Sequence, residues 1–370
     1  MIYLDYQATT PVAPEVAAAM RPWLEEKFAN PHSPSRWGRE AAAAIEVARG
    51  RVEQALGLSG GRFAFTSGAT EALNWALKGT FEDIKRKKLV TVATEHAAVL
   101  DTAEWLEGKG VEVVRLQVGG DGLIDLDMAE AAIDATTALV AVMLVNNEIG
   151  VIQPVAELAQ MAHRVGARML CDAVQGFGRM AIPEGPDLIA ISGHKIHGPK
   201  GVGGLWMRAG AEPEPLLHGG GQEQGLRSGT LSPALCAGLG EAAHLAAERR
   251  EADAIHIDKL SEVALATLGQ GWIVNGSLSH RYRGNLNLRR DGLDGARIIS
   301  DMRNIAFSLG SACASGSGRP SHVLRALGLS DREARSSIRL GFGRYTGEEE
   351  LASACRRINE AAHEQTQLPA

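Results

Sequence analysis

Residues able to do covalent chemistry sit at the ends of apolar runs in this chain. In "DLIAISGHKIHGPKG" (Asp187–Gly201) an apolar stretch that reads as a buried strand runs into a glycine, then His194 and Lys195. Lysine is rarely buried without a partner, so Lys195 is either a solvated loop residue or a nucleophile aimed from a core strand. "CDAVQG" (Cys171–Gly176) puts Asp172 at the carboxyl end of another apolar run. In open α/β sheets ligands bind beyond such ends. A carboxylate there costs desolvation unless a cation pairs with it; the plainer alternative is a helix cap. "TSGATEA" (Thr66–Ala72) follows a strand and opens a helix, where small residues and the helix dipole suit an anion. Alone it reads equally as an N-cap by Ser67 or Thr70, and it is neither a Walker A loop nor a GxGxxG fingerprint. His96 in "TEHAAVLD" also lies just past an apolar strand, and its flat ring suits stacking.

An amine, a carboxylate and an anion-suited helix start on neighbouring strand ends match one cofactor. Pyridoxal 5'-phosphate needs a Schiff-base lysine, a carboxylate holding its pyridine nitrogen protonated, and a phosphate cup. Cys313, in "FSLGSACASGSGRPSHVLRALG", has small residues on both sides. An ordinary thiol has a pKa of about 8.5, so a reactive one needs exposure and an electropositive setting. Cys171, Cys236 and Cys355 lie in apolar patterns and read as small hydrophobes. Arg339 in "SSIRLGFGRYT" could fork onto the carboxylate of an amino-acid substrate, although a surface ion pair is the commoner fate.

The elements that must position these groups alternate. "RFAFT", "LVTVA", "VEVVRL", "ALVAVMLV", "RMLCDA", "DLIAIS" and "VGGLWM" read as strands, with helical patterns over Ala69 to about Lys87, Ala97–Lys109 and Pro154–Arg164. That order predicts an α/β fold with a mainly parallel sheet covered on both faces. Thr230–Gly269 reads as a long helix, broken near Ile255–Asp258, and shorter strands follow it. The expected division is a large domain over 14–250 and a small α+β domain from 1–13 and 251–370, the latter carrying a cysteine loop at about 308–320. Two basic stretches, "IKRKK" (Ile84–Lys88) and "SHRYRGNLNLRR" (Ser279–Arg290), read as a solvated helix end and a solvated turn.

The chain has 370 residues, 45% hydrophobic and 22% charged, with net charge −6. That balance argues against nucleic acid or an acidic membrane as the main partner. The longest apolar run, Ala138–Val145, is too short to span a bilayer, and "MIYLDYQATTP" lacks the pattern of a secretory signal. Four scattered cysteines without CxxC pairing argue against a disulfide framework or a structural metal site and fit a reducing cytoplasm.

With these residues assembled, the chain resembles the cysteine desulfurases, in the class V aminotransferase group of fold-type I pyridoxal phosphate enzymes. The likeness runs through "YLDYQATTPVAPEV", "NPHSPSRWG", "TSGATEA", "TEHAAVLD", "VNNEIGVIQP", "CDAVQG", "SGHKIHGPKG", "GGGQEQGLRSGT", the cysteine loop and "SSIRLGFGRYT". It implies a seven-stranded, mainly parallel sheet flanked by helices plus the smaller domain. It makes Lys195 the Schiff-base residue, Asp172 the partner of the pyridine nitrogen, Gln175 a contact of the phenolic oxygen and His96 the stacking ring. Ala69, Thr70, Ser192 and His194 match the phosphate cup, and Thr230 matches a phosphate contact lent by a second subunit, so a homodimer is implied. Asn147 and Arg339 match the groups that hold the substrate carboxylate, and Cys313 matches the sulfur-accepting nucleophile. The implied reaction turns L-cysteine into alanine and leaves a persulfide on Cys313 for iron–sulfur assembly or another acceptor. A selenocysteine lyase, another class V lyase or transaminase, and a degenerate partner-binding scaffold are the alternatives.

Overall fold

Unbroken runs of Val, Ile, Leu and Ala make strands that bury both faces. Thr137–Met143 and Leu188–Ser192 are buried at every position. They belong to a seven-stranded sheet in the order Gly61–Thr66, Gly203–Arg208, Leu188–Ser192, Arg168–Asp172, Thr137–Met143, Lys88–Val92, Glu112–Leu116. Gly203–Arg208 runs antiparallel to both neighbours, and every other pairing is parallel. The expected α/β architecture is therefore the one observed. This computed structural model describes residues 1–83, 85–310 and 320–367.

Helices cover both faces, and their ends follow from local chemistry. Arg36–Leu56 starts where the Ser35 hydroxyl accepts the Gly38 N–H and stops at Gly57, whose φ of 70° only glycine adopts cheaply. Pro233–Leu268 is one unbroken helix, so the expected break near Ile255–Asp258 is absent. Its buried residues include Leu239, Ala243, Ala246, Ile257, Leu260 and Ala264 on both sides of that point, and it packs against Pro14–Glu25, Arg36–Leu56 and Glu348–Gln367. A continuous apolar stripe outweighs a few polar residues at its centre.

Beyond it, Ser337–Gly341, Asn285–Arg289 and Ile273–Val274 form a small antiparallel sheet. The N-terminal strand Ile2–Tyr3 pairs in parallel with Ile305–Ala306, so the first residues belong with the C-terminal part of the chain. Leu4, Leu260, Leu286, Ile338, Leu340 and Ile358 share the core there. Among the described residues no helix is long and apolar enough to cross a membrane.

Both basic stretches depart from expectation. The first helix past "TSG" is Ala69–Asp83, so the following cations are not its solvated end. Arg86 donates to the Thr137 and Val165 carbonyls, Lys87 to the Phe81 carbonyl, and Lys88, in a strand, pairs with Asp134 at 2.7 Å. Arg281 is buried and donates to the carbonyls of Ser277, Ile149 and Asn285, and burial lowers its pKa to about 10. Arg86, Lys87 and Arg281 cap carbonyls and Lys88 meets a carboxylate, needs that sequence spacing does not reveal.

Candidate active site

The carboxyl ends of the parallel strands open into a cavity of about 1000 Å³. Ala69, Thr70, His96, Asn147, Asp172, Gln175, Ser192, His194, Lys195 and Arg339 all line it. Ten expected site residues from six segments thus share one wall. Thr230 does not line it and stands exposed on a neighbouring loop. Cys313 lies outside the described residues.

Lys195 ends a single 3-10 turn that follows the strand Leu188–Ser192. Its Nζ donates to the carbonyls of Gln7 (2.5 Å) and Ala8 (2.8 Å). Burial is the main force on its pKa, and with Arg179 and Arg339 nearby it brings the amine down to about 7, against opposing pulls from Asp5 and Asp172. Held by two carbonyls and shifted this far, Lys195 is not the solvated loop residue weighed from sequence. Two residues on, His197 holds φ 64°, a strained setting for a non-glycine residue. Thr10 Oγ1 accepts its N–H, and the Pro11 carbonyl meets its ring.

Asp172 closes the strand Arg168–Asp172. Its Oδ1 accepts the Val174 N–H at 3.0 Å, and it has no ion pair among the described residues. Burial pushes its pKa up, while the nearby His96 and Lys195 pull the other way. A buried carboxylate without its own cation has room for a protonated ring nitrogen.

His96 caps the helix Ala97–Glu107, its Nδ1 accepting the Ala98 N–H. In the neutral ring that contact leaves the proton on Nε2. The helix Ala69–Asp83 presents its first turn to the cavity. Strand Gly203–Arg208 reaches that turn only because it begins with glycine: a Cβ on Gly203 would stand 2.9 Å from Gly68 Cα and 2.4 Å from the Ile191 carbonyl oxygen. His194, buried beside Lys195, Lys200 and Arg179, has its pKa lowered to about 4 and is neutral at pH 7. Arg339 is buried, forming a 2.7 Å ion pair with Asp5 and donating to the Asn147 carbonyl at 2.9 Å. That is a buried pair rather than the surface pair weighed from sequence, and its Nε has no partner among the described residues.

Sequence spacing did not single out several neighbours. Glu95 is fully buried with its pKa pushed well up by burial, its Oε1 accepting the Met143 N–H. Glu148 lines the cavity, and its Oε2 accepts from Ser321 Oγ at 2.5 Å. His322 also lines it, its Nε2 meeting the Glu95 carbonyl at 3.0 Å. The cavity thus joins both parts of the chain. The signal available beforehand was an acidic residue beside two of the expected site residues, Glu95 next to His96 and Glu148 next to Asn147.

A pyridoxal phosphate fits this donor set: an amine held by carbonyls, a carboxylate without an ion pair among the described residues, the neutral His194 ring and a helix start share one cavity of sufficient size. The class V aminotransferase family model matches residues 2–353, and the chain belongs to that family, whose cofactor is pyridoxal 5'-phosphate. Within it, the chain is 44% identical over 375 residues to the cysteine desulfurase IscS of Rickettsia bellii (strain OSU 85-389), covering 97% of this chain and 91% of that protein. Among solved structures it superposes on a NifS-like protein with TM-score 0.90 and 33% identity, covering 98% of this chain and 99% of the other. A structure of SspA in complex with cysteine matches at TM-score 0.84 and 34% identity, covering 94% and 100%.

Proposed function

We infer that this protein is a cysteine desulfurase that uses pyridoxal phosphate to take sulfur from L-cysteine, leaving L-alanine. The observation that carries the reading is the single cavity in which the lowered-pKa amine of Lys195 faces the unpaired carboxylate of Asp172. Bound pyridoxal phosphate supplies an electron sink for charge that develops at the substrate α-carbon. Lys195 holds the cofactor and, once released, moves the α-proton with its Nζ. Asp172 keeps the ring nitrogen protonated, His96 stacks on the ring, and Gln175 donates to the phenolic oxygen. Ala69, Thr70, Ser192 and the neutral His194 hold the phosphate.

Arg339 and Asn147 meet the substrate carboxylate; the free Nε of Arg339 gives it a donor to offer while Asp5 holds the rest of the fork. The Cys313 thiolate attacks the substrate sulfur. An S–S bond forms, the Cβ–S bond breaks with its electron pair left on Cβ, and a proton there completes alanine. The persulfide then passes to an acceptor, and iron–sulfur assembly is the pathway the IscS name of the Rickettsia bellii relative favours. A homodimer in which Thr230 reaches the partner's phosphate site accounts for its exposure outside the cavity of its own chain. The unpaired, buried thiols of Cys171, Cys236 and Cys355 favour a cytoplasmic setting.

Alanine released from L-cysteine by the wild type, K195A and C313A tests this reading. Release should vanish in K195A and collapse in C313A when a reductant and acceptor are present. A C313A variant that still makes alanine from cysteine at the wild-type rate contradicts the desulfurase assignment.

A further inference from the structure

Outside the cavity lining, bonded to the backbone of Lys195, lies a cation that the chemistry above does not use. Arg179 follows the strand Arg168–Asp172 by a short turn. Its Nη1 donates to the Gln175 side-chain oxygen Oε1 at 2.5 Å and to the Gln175 backbone carbonyl at 3.2 Å, and its Nη2 donates to the Lys195 carbonyl at 3.1 Å. The guanidinium lies over the Tyr282 ring, 4.9 Å from its centroid. Among the described residues no carboxylate lies within 4.0 Å of it. It is thus a cation that bonds two residues of the site wall, Gln175 and Lys195, without an ion-pair partner among the described residues.

Its contacts fix the Gln175 amide. Guanidinium only donates and a backbone carbonyl only accepts. Arg179 therefore requires oxygen at Oε1, and the Gln7 carbonyl, 2.9 Å from Nε2, requires nitrogen there. One amide hydrogen is spent on Gln7, and Gln175 lines the cavity, so the second is the donor left for a ligand. The same Gln7 carbonyl accepts from Lys195 Nζ. Arg179, Gln175, Gln7 and Lys195 thus form one chain of hydrogen bonds.

We propose that Arg179 is a positioning residue of the cofactor site, acting through the Gln175 amide and through its uncompensated charge beside Lys195. The proposal rests on the cofactor reading above. Lys195 is faced by Asp172 at the end of Arg168–Asp172, by Arg179 in the turn after it, by Arg339 from Ser337–Gly341, by Asp5 from the N-terminal segment and by His194 on its own turn. Arg339 has Asp5 as counter-ion, which leaves Arg179 as the stronger brake on protonation at the lysine nitrogen. The guanidinium also bars Gln175 from turning its oxygen towards the electron-rich ring oxygen, which would repel it.

Holoenzyme titrated by absorbance tests this. The lysine-linked cofactor absorbs near ~420 nm when protonated, and the pH midpoint at which that band fades reads proton affinity at the Lys195 nitrogen. Removing a nearby cation raises that affinity, so R179M should move the midpoint up by about one pH unit. R179K keeps the charge but loses the fork, so it should move the midpoint the same way by less. A midpoint unchanged from wild type in whichever variant folds, with the band intact, overturns the role of Arg179 while leaving the cofactor in place. A wild-type protein that never develops the band defeats the cofactor reading and this proposal with it.

Discussion

At the scale of single residues, environment sets what each ionisable group does. Lys195 has an ordinary side chain whose charged form is disfavoured by burial and by two arginines. With its pKa lowered from 10.5 to about 7, it releases a proton on folding only between those two values. The unfolded state then binds more protons between about pH 7 and 10.5, so stability of the cofactor-free protein rises with pH in that window. Denaturant melts should show K195M losing that part of the slope. Cofactor uptake should quicken through about pH 7 and level off above it, because only the neutral amine attacks. Asp172→Asn keeps the bond from Val174 but not the charge, and turnover should drop on the order of 100-fold, checked by steady-state rates. Lys195 and Asp172 were legible in the sequence because strand ends are. Arg179 was not, because nothing in "QGFGRM" says which carbonyls its fork will meet.

At the scale of elements, short segments hold the site at its edges. The loop before Pro233–Leu268 contains Glu223 and Gln224 with φ of 50° and 57°, a costly setting for residues with a Cβ. Glu223 is pinned there by both nitrogens of Arg49, each at 2.8 Å, and by the Phe65 N–H. A few residues on, Arg227 forks onto Glu71 in the first turn of Ala69–Asp83. This loop leads to Thr230, so its pins bear on the proposed phosphate contact between subunits. Glu223→Ala leaves Arg49 with only Glu46 and the Phe63 carbonyl and leaves the Phe65 N–H without its acceptor; it should cost about 1–3 kcal/mol in chemical unfolding, with weaker cofactor binding. Gly203→Ala forces a Cβ against the Gly68 turn and should cost about 1–3 kcal/mol, with a raised Kd for the cofactor. The strand–helix alternation was readable because its apolar runs are strong. The roles of the half-buried Arg86 and the buried Lys88 and Arg281 were not, because a cation's fate depends on the carbonyls and carboxylates that folding brings near.

At the scale of the whole molecule, the cavity is where the chain's parts meet. Strand ends of the seven-stranded sheet supply the lysine and carboxylate, the N-terminal segment supplies the Gln7 and Ala8 carbonyls, and the C-terminal part supplies Arg339 and His322. A homodimer predicts that dilution to monomer, followed by sedimentation, weakens cofactor retention, and that Thr230→Ala weakens it without changing the subunit equilibrium. The central claim is that sulfur leaves cysteine and lands on Cys313. Intact-protein mass spectrometry of the holoenzyme, mixed with L-cysteine in the absence of reductant, tests it most directly. One added sulfur atom, mapped to the Cys313 peptide and formed in step with alanine, is the expected result. Alanine appearing while Cys313 stays unmodified, or the added sulfur persisting in C313A, would contradict it.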